Sequence, residues 1–329
     1  MTDGFRALRY HGRPEAPEAR LETLRLADLS EGDTVIDVAF AGVNYKDALA
    51  GRGRNKIIRE LPRIGGIDLA GRIVESADPS LAPGTAVVVH GFGVGVEHDG
   101  GFAERARVPA SWVLPLPDGL SVRDAAVLGV AGYTSALSIH RLETLGLRPA
   151  SGPVVVTGAS GGSGSIAVDL LAGLGYEVSV VTGKPSQADW FATLGASEVI
   201  ARDVLIADGR PMLTARWAGA VDTVGGDALS WLVRTMRPDG LIAAFGNAGG
   251  LDLKTSVLPF ILRSVHLVGI NGNSPMALRR EVWGRLAGDM KPRHLDMLTE
   301  EIGLADLPHA FDRVLAGRVR GRLVVDLTR

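Results

Sequence analysis

Cysteine is absent from the 329-residue chain, and this absence removes several kinds of chemistry at once. Without cysteine there is no disulfide, no thiolate nucleophile and no cysteine-bound zinc. An excess of one charge is also lacking, since 35 Lys and Arg stand against 37 Asp and Glu for a formal net charge of −2. Such a balance gives no global attraction to nucleic acid or to anionic membranes, so we expect neither as a partner.

Long apolar runs are missing as well. The longest, residues 125–139 (AAVLGVAGYTSALSI), is too short for a bilayer and is interrupted by Gly, Thr and Ser, so we interpret it as a buried helix. The opening residues 1–22 contain no apolar core with a small-residue cleavage site, and no secretory signal is predicted. Together these features favour a cytoplasmic protein.

What the chain does contain is a β-rich first part. β-branched residues recur between Gly and Pro turns over about the first 120 residues, a pattern typical of short strands. The segments concerned are 33–44, 71–76, 85–91 and 100–117. They predict a barrel-like all-β module.

From about residue 122 strands alternate with helices. After an apolar helix over 124–141, strands are predicted at 153–157, 177–182, 198–200, 219–223, 240–245 and 265–270, and helices at 162–174, 186–194 and 226–236. This alternation indicates the doubly wound α/β class, a parallel sheet with helices on its faces. The apolar last strand, 321–328, has no later partner and is expected to return to the first module. We therefore predict one domain over 1–123, completed by 272–329, and another over 124–271.

A glycine turn marks the first strand–helix junction of this second part. Gly158, Gly161, Gly162 and Gly164 lie in GASGGSG, after a β-branched strand and before an amphipathic helix. The spacing is a relative of G-x-G-x-x-G, in which glycines permit a tight turn and let backbone N–H groups approach a pyrophosphate at the helix N-terminus. The context favours a dinucleotide site over a merely flexible loop.

The next strand lacks the acid that would select NAD. An NAD enzyme places Asp or Glu there against the ribose 2′-hydroxyl, but this strand ends in Thr182, Gly183 and Lys184. A small residue leaves room for a 2′-phosphate and a cation attracts it. Lys184, with Arg202 as a second cation and Ser160 as a donor, therefore predicts NADPH as cofactor. Each cation alone is equally compatible with a solvated surface charge.

At this point the chain resembles the medium-chain dehydrogenase/reductase superfamily, and more specifically its zinc-free branch of quinone oxidoreductase-like and acrylyl-CoA reductase proteins. The motifs that carry the resemblance run from end to end: GVNYKDALA (42–50), IIRELPRIGGIDLAG (57–71), GFGVGVEHDGGFAERARV (91–108), VTGASGGSGS (156–165), LGASEVI (194–200), WAGAVDTVGG (217–226) and PFILRSVHLVG (259–269). The resemblance implies a GroES-like catalytic domain, a Rossmann domain and a dimer, with the apolar strand 264–270 as a possible pairing edge.

The resemblance also implies a cofactor shell and a catalytic loop. The implied cofactor-binding residues are Tyr45, Ser160, Gly161, Gly162, Ser163, Thr182, Gly183, Lys184, Arg202, Asn247, Ile261, Gly272 and Gly317. NYKD would form the wall beside the nicotinamide. Tyr45 and Asp47 are the candidate catalytic residues, although Tyr45 is almost equally well explained as a packing wall. Lys46 and Asp47 are also explained by an ion pair that holds the loop.

Without a Lewis acid, a conjugated acceptor is the easier substrate. Hydride addition at the β-carbon of an enone, quinone or enoyl thioester leaves charge on an oxygen that hydrogen bonds can hold. The most ligand-like group, His90, Glu97, His98 and Asp99, is better interpreted as a polar surface loop than as a metal site, and we expect no metal.

A basic run favours a phosphate-bearing substrate. Arg52, Arg54, Lys56 and Arg59 follow NYKD on a glycine-containing loop, and we assign Arg52, Arg54 and Lys56 to substrate binding.

Three functions stay open. The first is NADPH-dependent reduction of a short enoyl-CoA such as acrylyl-CoA, the second an NADPH:quinone oxidoreductase, and the third a non-catalytic NADP-binding sensor.

Overall fold

The computed structural model describes residues 4–205 and 210–329, which fall into two units. The first unit comprises the chain up to Ala131 together with Asn273–Ala287 and Thr299–Arg329. The second comprises Gly132–Gly272 and Gly288–Leu298. The domain boundaries expected at 123/124 and 271/272 stay predictions.

Strands dominate the first part of the chain. In order, its elements are β1 (Phe5–Arg13), β2 (Ala16–Leu24), β3 (Thr34–Val43), α1 (Tyr45–Gly51), β4 (Arg63–Ile64), β5 (Asp68–Ser76), β6 (Ala86–His90), β7 (Arg105–Val108) and β8 (Leu114–Pro115). Helix α2 (Val122–Thr144) follows.

Strands and helices then alternate. The elements are β9 (Val154–Thr157), α3 (Gly162–Gly173), β10 (Val178–Thr182), α4 (Ala188–Thr193), β11 (Ala196–Ala201), β12 (Trp217–Asp222), α5 (Gly226–Thr235), β13 (Met236–Ala244), α6 (Leu258–Arg263) and β14 (His266–Gly269). The remaining elements are α7 (Met276–Ala287), α8 (Leu295–Leu298), β15 (Thr299–Ile302), α9 (Leu307–Leu315) and β16 (Arg322–Asp326).

The second unit contains a six-stranded parallel sheet in the order β11-β10-β9-β12-β13-β14. The order reverses at β9, as in a doubly wound sheet, and this confirms the predicted fold class. β9 and β10 are buried along their whole length because helices cover both faces, which explains their continuous valine runs. All parallel strands end at one edge, which we call the carboxyl edge.

The first unit contains a seven-stranded sheet and a smaller three-stranded sheet. The larger sheet has the order β15-β16-β3-β5-β6-β8, and β7 also pairs with β3. β16 pairs with β3 antiparallel, so the expected return of the last strand to the first module is confirmed. The core includes Tyr10, Phe102 and Phe311, which are all fully buried.

Two parts of the first unit differ from the sequence-based interpretation. The hairpin of β1 and β2 escaped prediction because β2 is largely exposed and charged, so it shows little apolar alternation. The NYKD segment, interpreted as a loop, is the start of helix α1, with Asn44 as the N-cap residue and Tyr45 as the first helical residue. Across the part of the chain that the structure describes, no helix combines the length and apolarity needed to cross a membrane.

Candidate functional site

The glycine turn lies where β9 meets α3, at the carboxyl edge. Gly158 has φ of +61°, a conformation that favours glycine. A Cβ on Gly164 would lie 2.3 Å from the Gly158 carbonyl oxygen, so the turn folds closely onto the first turn of α3. Gly161 is the N-cap residue, and the first turn carries no acidic residue to offset the positive end of the helix dipole.

The end of β10 lies beside this turn. Val181 pairs with Thr157 of β9, and Thr182 pairs with Ala201 of β11. The Thr182 hydroxyl accepts a hydrogen bond from the Lys184 N–H at 3.0 Å, which fixes the backbone where the strand ends. Strand register therefore places residues 182–184 between the turn and the end of β11.

Arg202 follows β11 and lies across Gly183. A Cβ on Gly183 would be 3.2 Å from Arg202 Cδ and 3.3 Å from its Cζ, so a larger residue would crowd the guanidinium-bearing chain. Lys184 is half-buried and Arg202 exposed. The structure thus brings the two predicted cations together with Ser160, Gly161, Gly162 and Ser163, which are all half-buried on the same edge.

A buried acid at the end of β12 supports the edge and was missed from the sequence. Asp222 accepts hydrogen bonds from the Thr157 hydroxyl at 2.6 Å and from the Gly225 N–H at 2.9 Å. It therefore ties the end of β12 to the end of β9. Burial raises the pKa of Asp222, and these hydrogen bonds oppose that rise. The only available signal was an acid at the end of a predicted strand, in VDTVGG.

The other predicted cofactor residues are more scattered. Asn247 follows β13 at the carboxyl edge, is exposed, and its carbonyl accepts from the Gly250 N–H at 3.2 Å. Gly272 follows β14, and a Cβ there would lie 3.0 Å from the Thr134 hydroxyl. Ile261 lies on α6 and is 67% exposed, and the strand register does not by itself bring it to the edge. Gly317, with φ of +65°, belongs to the first unit.

Helix α1 of the first unit presents Tyr45 at its first position. Tyr45 is 38% exposed, whereas Asp47 is 1% exposed. The Asp47 carboxylate accepts from the Asn44 N–H at 2.8 Å and from the Ile67 N–H at 2.9 Å. The ion pair expected between Lys46 and Asp47 is not formed, because Lys46 is exposed and adjacent helical residues do not face each other.

Asp47 belongs to a buried charge network, which we define as Asn44, Asp47, Asp68 and Arg322. The Asn44 side-chain amide donates to Asp47 at 3.1 Å and to Asp68 at 2.9 Å. Its carbonyl oxygen accepts from Arg322 Nη1 at 3.0 Å. The Arg322 guanidinium also lies 3.9 Å from the Asp68 carboxylate. One amide therefore links both carboxyl groups to one buried cation.

A kink in α2 completes the coordination of Asp68. Gly129 has φ of +45°, and a Cβ there would lie 2.4 Å from Asp68 Oδ2. The kink frees the Val130 N–H from the helix, and this group donates to Asp68 at 2.9 Å. Asp68 also accepts from the Gly42 N–H at 2.7 Å. Glycine is required at position 129 by both backbone conformation and space.

The network holds two carboxyl groups and one guanidinium out of water. Burial, followed by the charge of Asp68, raises the pKa of Asp47 to about 7 despite the N–H groups that bind its carboxylate. Burial lowers the pKa of Arg322, while Asp68 and Asp47 oppose this change. Asp47 therefore titrates in the neutral range, although its side chain is turned into the unit and away from solvent.

The predicted substrate-binding residues follow α1 directly. Arg52 donates from Nε and Nη2 to the two carboxylate oxygens of Asp312, at 2.8 and 2.9 Å. Arg54 and Lys56 are exposed. The three residues share one loop, but Arg52 is already engaged by a carboxylate.

The cluster around residues 90–99 is only partly a surface loop. His90 is 2% exposed, and its ring nitrogens contact Arg279 Nη1 at 2.7 Å and Trp283 Nε1 at 3.0 Å. Burial and the Arg279 charge hold the pKa of His90 well below its usual range. Asp99 is 6% exposed and accepts from the Ile64 N–H at 2.9 Å. The surface-loop interpretation is therefore wrong for His90 and Asp99.

Within residues 4–205 and 210–329, no three His, Asp or Glu side chains group as metal ligands.

Two family models match the chain. The alcohol dehydrogenase GroES-like domain matches residues 30–118, and the zinc-binding dehydrogenase family matches residues 162–287. The acrylyl-CoA reductase AcuI of Ruegeria pomeroyi is 42% identical over 94% of this chain and 94% of its own length. YhfP of Bacillus subtilis, which is named as a quinone oxidoreductase, is 43% identical over 99% of this chain and 100% of its own.

Two solved structures are similar to the chain over nearly its full length. The yhdH oxidoreductase from Salmonella enterica in complex with NADP has a TM-score of 0.94 at 44% identity, over 98% of this chain and 99% of that one. The Bacillus subtilis protein yhfP with NAD bound has a TM-score of 0.94 at 42% identity, over the same shares of 98% and 99%. Two similar relatives were therefore solved with different dinucleotides.

The titration of Asp47 predicts a specific pH dependence of stability. Its folded pKa of about 7 lies above the ordinary value of 3.8, so the folded state binds the proton more tightly than the unfolded state does. This group's contribution to stability is fully present at low pH and is lost as pH rises towards about 7. Between pH 5 and 7 we expect the free energy of unfolding to fall by about 2 kcal/mol relative to that of Asp47→Asn, measured by urea denaturation.

The matched control is Asp252→Asn, because Asp252 is exposed. Its unfolding free energy should follow the wild type at every pH. Parallel curves for wild type and Asp47→Asn would show that Asp47 does not titrate near neutrality.

Proposed function

The chain belongs to the medium-chain dehydrogenase/reductase family of oxidoreductases, and we propose that it is an NADPH-dependent reductase of a short enoyl-CoA thioester such as acrylyl-CoA. The observation that carries the proposal is the carboxyl edge, where a glycine turn, a strand end without an acid and two cations come together. The similarity to AcuI supports the substrate class. The proposal includes the cytoplasmic location expected from the sequence.

The residues of the carboxyl edge fit an NADP dinucleotide. Gly162 and Ser163 place backbone N–H groups at the positive end of α3, suited to a pyrophosphate, while the Gly161 N–H closes the turn by donating to the Gly158 carbonyl. Lys184 and Arg202 would attract a 2′-phosphate, and the absence of a side chain at Gly183 lets the Arg202 side chain lie close to the end of β10. The proposed shell further comprises Tyr45, Thr182, Asn247, Ile261, Gly272 and Gly317.

NADPH supplies a hydride when bound, and the protein must then handle the charge that develops on the thioester oxygen. We assign this task to Tyr45, whose phenolic hydroxyl can donate a hydrogen bond. Tyr45 lies at the exposed start of α1, and the buried Asp47 carboxylate stabilises this start by accepting a hydrogen bond from the Asn44 N–H. Asp47 therefore acts as a positioning residue, because its buried carboxyl group cannot reach a substrate directly.

A second candidate function is the reduction of a quinone. It is favoured by the 43% identity to YhfP, which is named as a quinone oxidoreductase. A quinone is also a conjugated acceptor and can be reduced without a metal. The exposed basic residues Arg54 and Lys56 favour the thioester, because a neutral quinone carries no phosphate for them to bind, whereas Arg52 of the same run is paired with Asp312.

We further propose that the protein is a homodimer formed through β14. Among the described strands it pairs only with β13 and so is an edge of the sheet, with its outer backbone groups available to a second copy. Nearby Val257 and Leu262 are 67% and 63% exposed. An exposed apolar surface beside an open strand edge is suited to a twofold interface.

The substrate class is tested by a spectrophotometric panel at 340 nm. We expect NADPH oxidation with acrylyl-CoA to exceed that with crotonyl-CoA and with a benzoquinone, and each rate with NADH to be lower. Equal or faster turnover of the quinone would favour the second function. Binding of NADPH without acceleration by any acceptor would contradict an enzymatic role and favour the sensor.

The dimer is tested by light scattering on Val257→Glu with Leu262→Glu. Two buried charges in an apolar interface would be strongly unfavourable, so the mass should fall from that of a dimer to that of a monomer. Leu145→Glu is the control, since Leu145 is 51% exposed but lies outside this surface. A monomeric wild type, or an unchanged dimer in the double variant, would contradict the proposed interface.

A further inference from the structure

A cationic patch lies where the loop after α1 meets α9, and we propose that it binds the phosphate groups of a coenzyme A thioester. We define the patch as Arg54, Lys56 and Arg318, with the exposed imidazole of His309 as a further polar group. The inference rests on the proposed function and adds two residues, His309 and Arg318, that lie far from the basic run in sequence. It also gives Arg52 a different task from direct substrate binding.

Arg52 joins the two halves of the patch. Besides its two bonds to the Asp312 carboxylate, its Nη2 donates to the Pro308 carbonyl at 2.5 Å. Three directed bonds from one guanidinium fix the end of α1 against α9. Arg52 therefore acts as a positioning residue, and its donors on this side are already used.

The second half of the patch comes from α9 and the turn after it. His309 lies one turn before Asp312 on α9, and Arg318 follows α9, where its N–H donates to the Arg313 carbonyl at 2.9 Å. Both add to the lowering of the Asp312 pKa, of which Arg52 is the main cause. His309 and Arg318 are both exposed. The Asp312 carboxylate, already paired with Arg52, therefore lies near a second arginine.

The first half of the patch is held in a defined shape. Arg54 and Lys56 are exposed, and neither forms an ion pair within the described part of the chain. A Cβ on Gly53 would lie 2.4 Å from the Glu15 carbonyl oxygen, so the loop packs closely on the turn between β1 and β2. Arg54 and Lys56 therefore present positive charge that no carboxylate of the described residues pairs with, and Arg318 adds a charge that Asp312, already paired with Arg52, offsets only in part.

The patch and Tyr45 lie at opposite ends of α1. The helix has seven residues, so at 1.5 Å per residue its ends are about 10 Å apart. In coenzyme A a long pantetheine arm separates the thioester from the nucleotide phosphates. If the thioester group lies near Tyr45, the nucleotide phosphates must lie some distance from Tyr45. The patch beyond the other end of α1 is in a suitable position to bind them.

A substrate that lacks the nucleotide tests whether the patch binds the phosphates of coenzyme A or the thioester end. We would measure KM and kcat for acrylyl-CoA and for acrylyl-pantetheine, which lacks the nucleotide, with Arg318→Gln and with the double variant Arg54→Gln/Arg318→Gln. We expect the KM for acrylyl-CoA to rise about threefold in Arg318→Gln and about tenfold in the double variant. Both increases should be smaller at high salt. The KM for acrylyl-pantetheine, the KM for NADPH and kcat should not change.

The control is Arg280→Gln, which removes an exposed arginine outside the patch and should behave as wild type. An unchanged KM for acrylyl-CoA in the double variant, or an equal rise for both thioesters, would overturn the inference. If the wild type reduced neither thioester, the proposed function would be wrong. The patch would then be judged by calorimetry with coenzyme A, where loss of binding in the double variant supports it and equal binding overturns it.

Discussion

The parallel register of β9, β10 and β11 is the constraint on which the candidate site depends. Because Thr157 pairs with Val181, and Thr182 with Ala201, three chain segments that are distant in sequence end at one edge. The glycine turn, Lys184 and Arg202 are each ordinary alone. The register makes them a single surface with a helix N-terminus and two cations, which is the chemistry that a phosphorylated dinucleotide requires.

The first unit uses buried charge for a comparable purpose. Asn44 links Asp47 and Asp68 to Arg322, and the kink at Gly129 supplies a further donor to Asp68. If one member of such a network lost its partner, a buried polar group would be left unpaired and the folded state would be destabilised. The network therefore favours one arrangement of α1, α2 and β16. The proposed donor Tyr45 and the Arg52 clamp are then fixed at the two ends of the same short helix.

Sequence reasoning found the parts of the molecule that have local signals. The strand–turn–helix at Gly158 and the absent acid near Lys184 could be recognised because a few adjacent residues carry the chemistry. The Asp222 support and the pairing of Arg52 with Asp312 could not, since they depend on residues 65 and 260 positions apart. His90 was misjudged because a polar residue in a glycine-rich segment gives no sign of the Trp283 and Arg279 that bury it.

Coenzyme choice is the sharpest test of this account, because relatives of similar identity were solved with NADP and with NAD. The decisive measurement is the ratio of kcat/KM for NADPH to that for NADH, in the wild type and in Lys184→Gln/Arg202→Gln. We predict a wild-type preference for NADPH that falls about 100-fold in the double variant, because removing each charge-assisted hydrogen bond to the phosphate should cost roughly tenfold. A wild-type preference for NADH, or an unchanged ratio in the variant, would contradict the assignment of this edge to a 2′-phosphate.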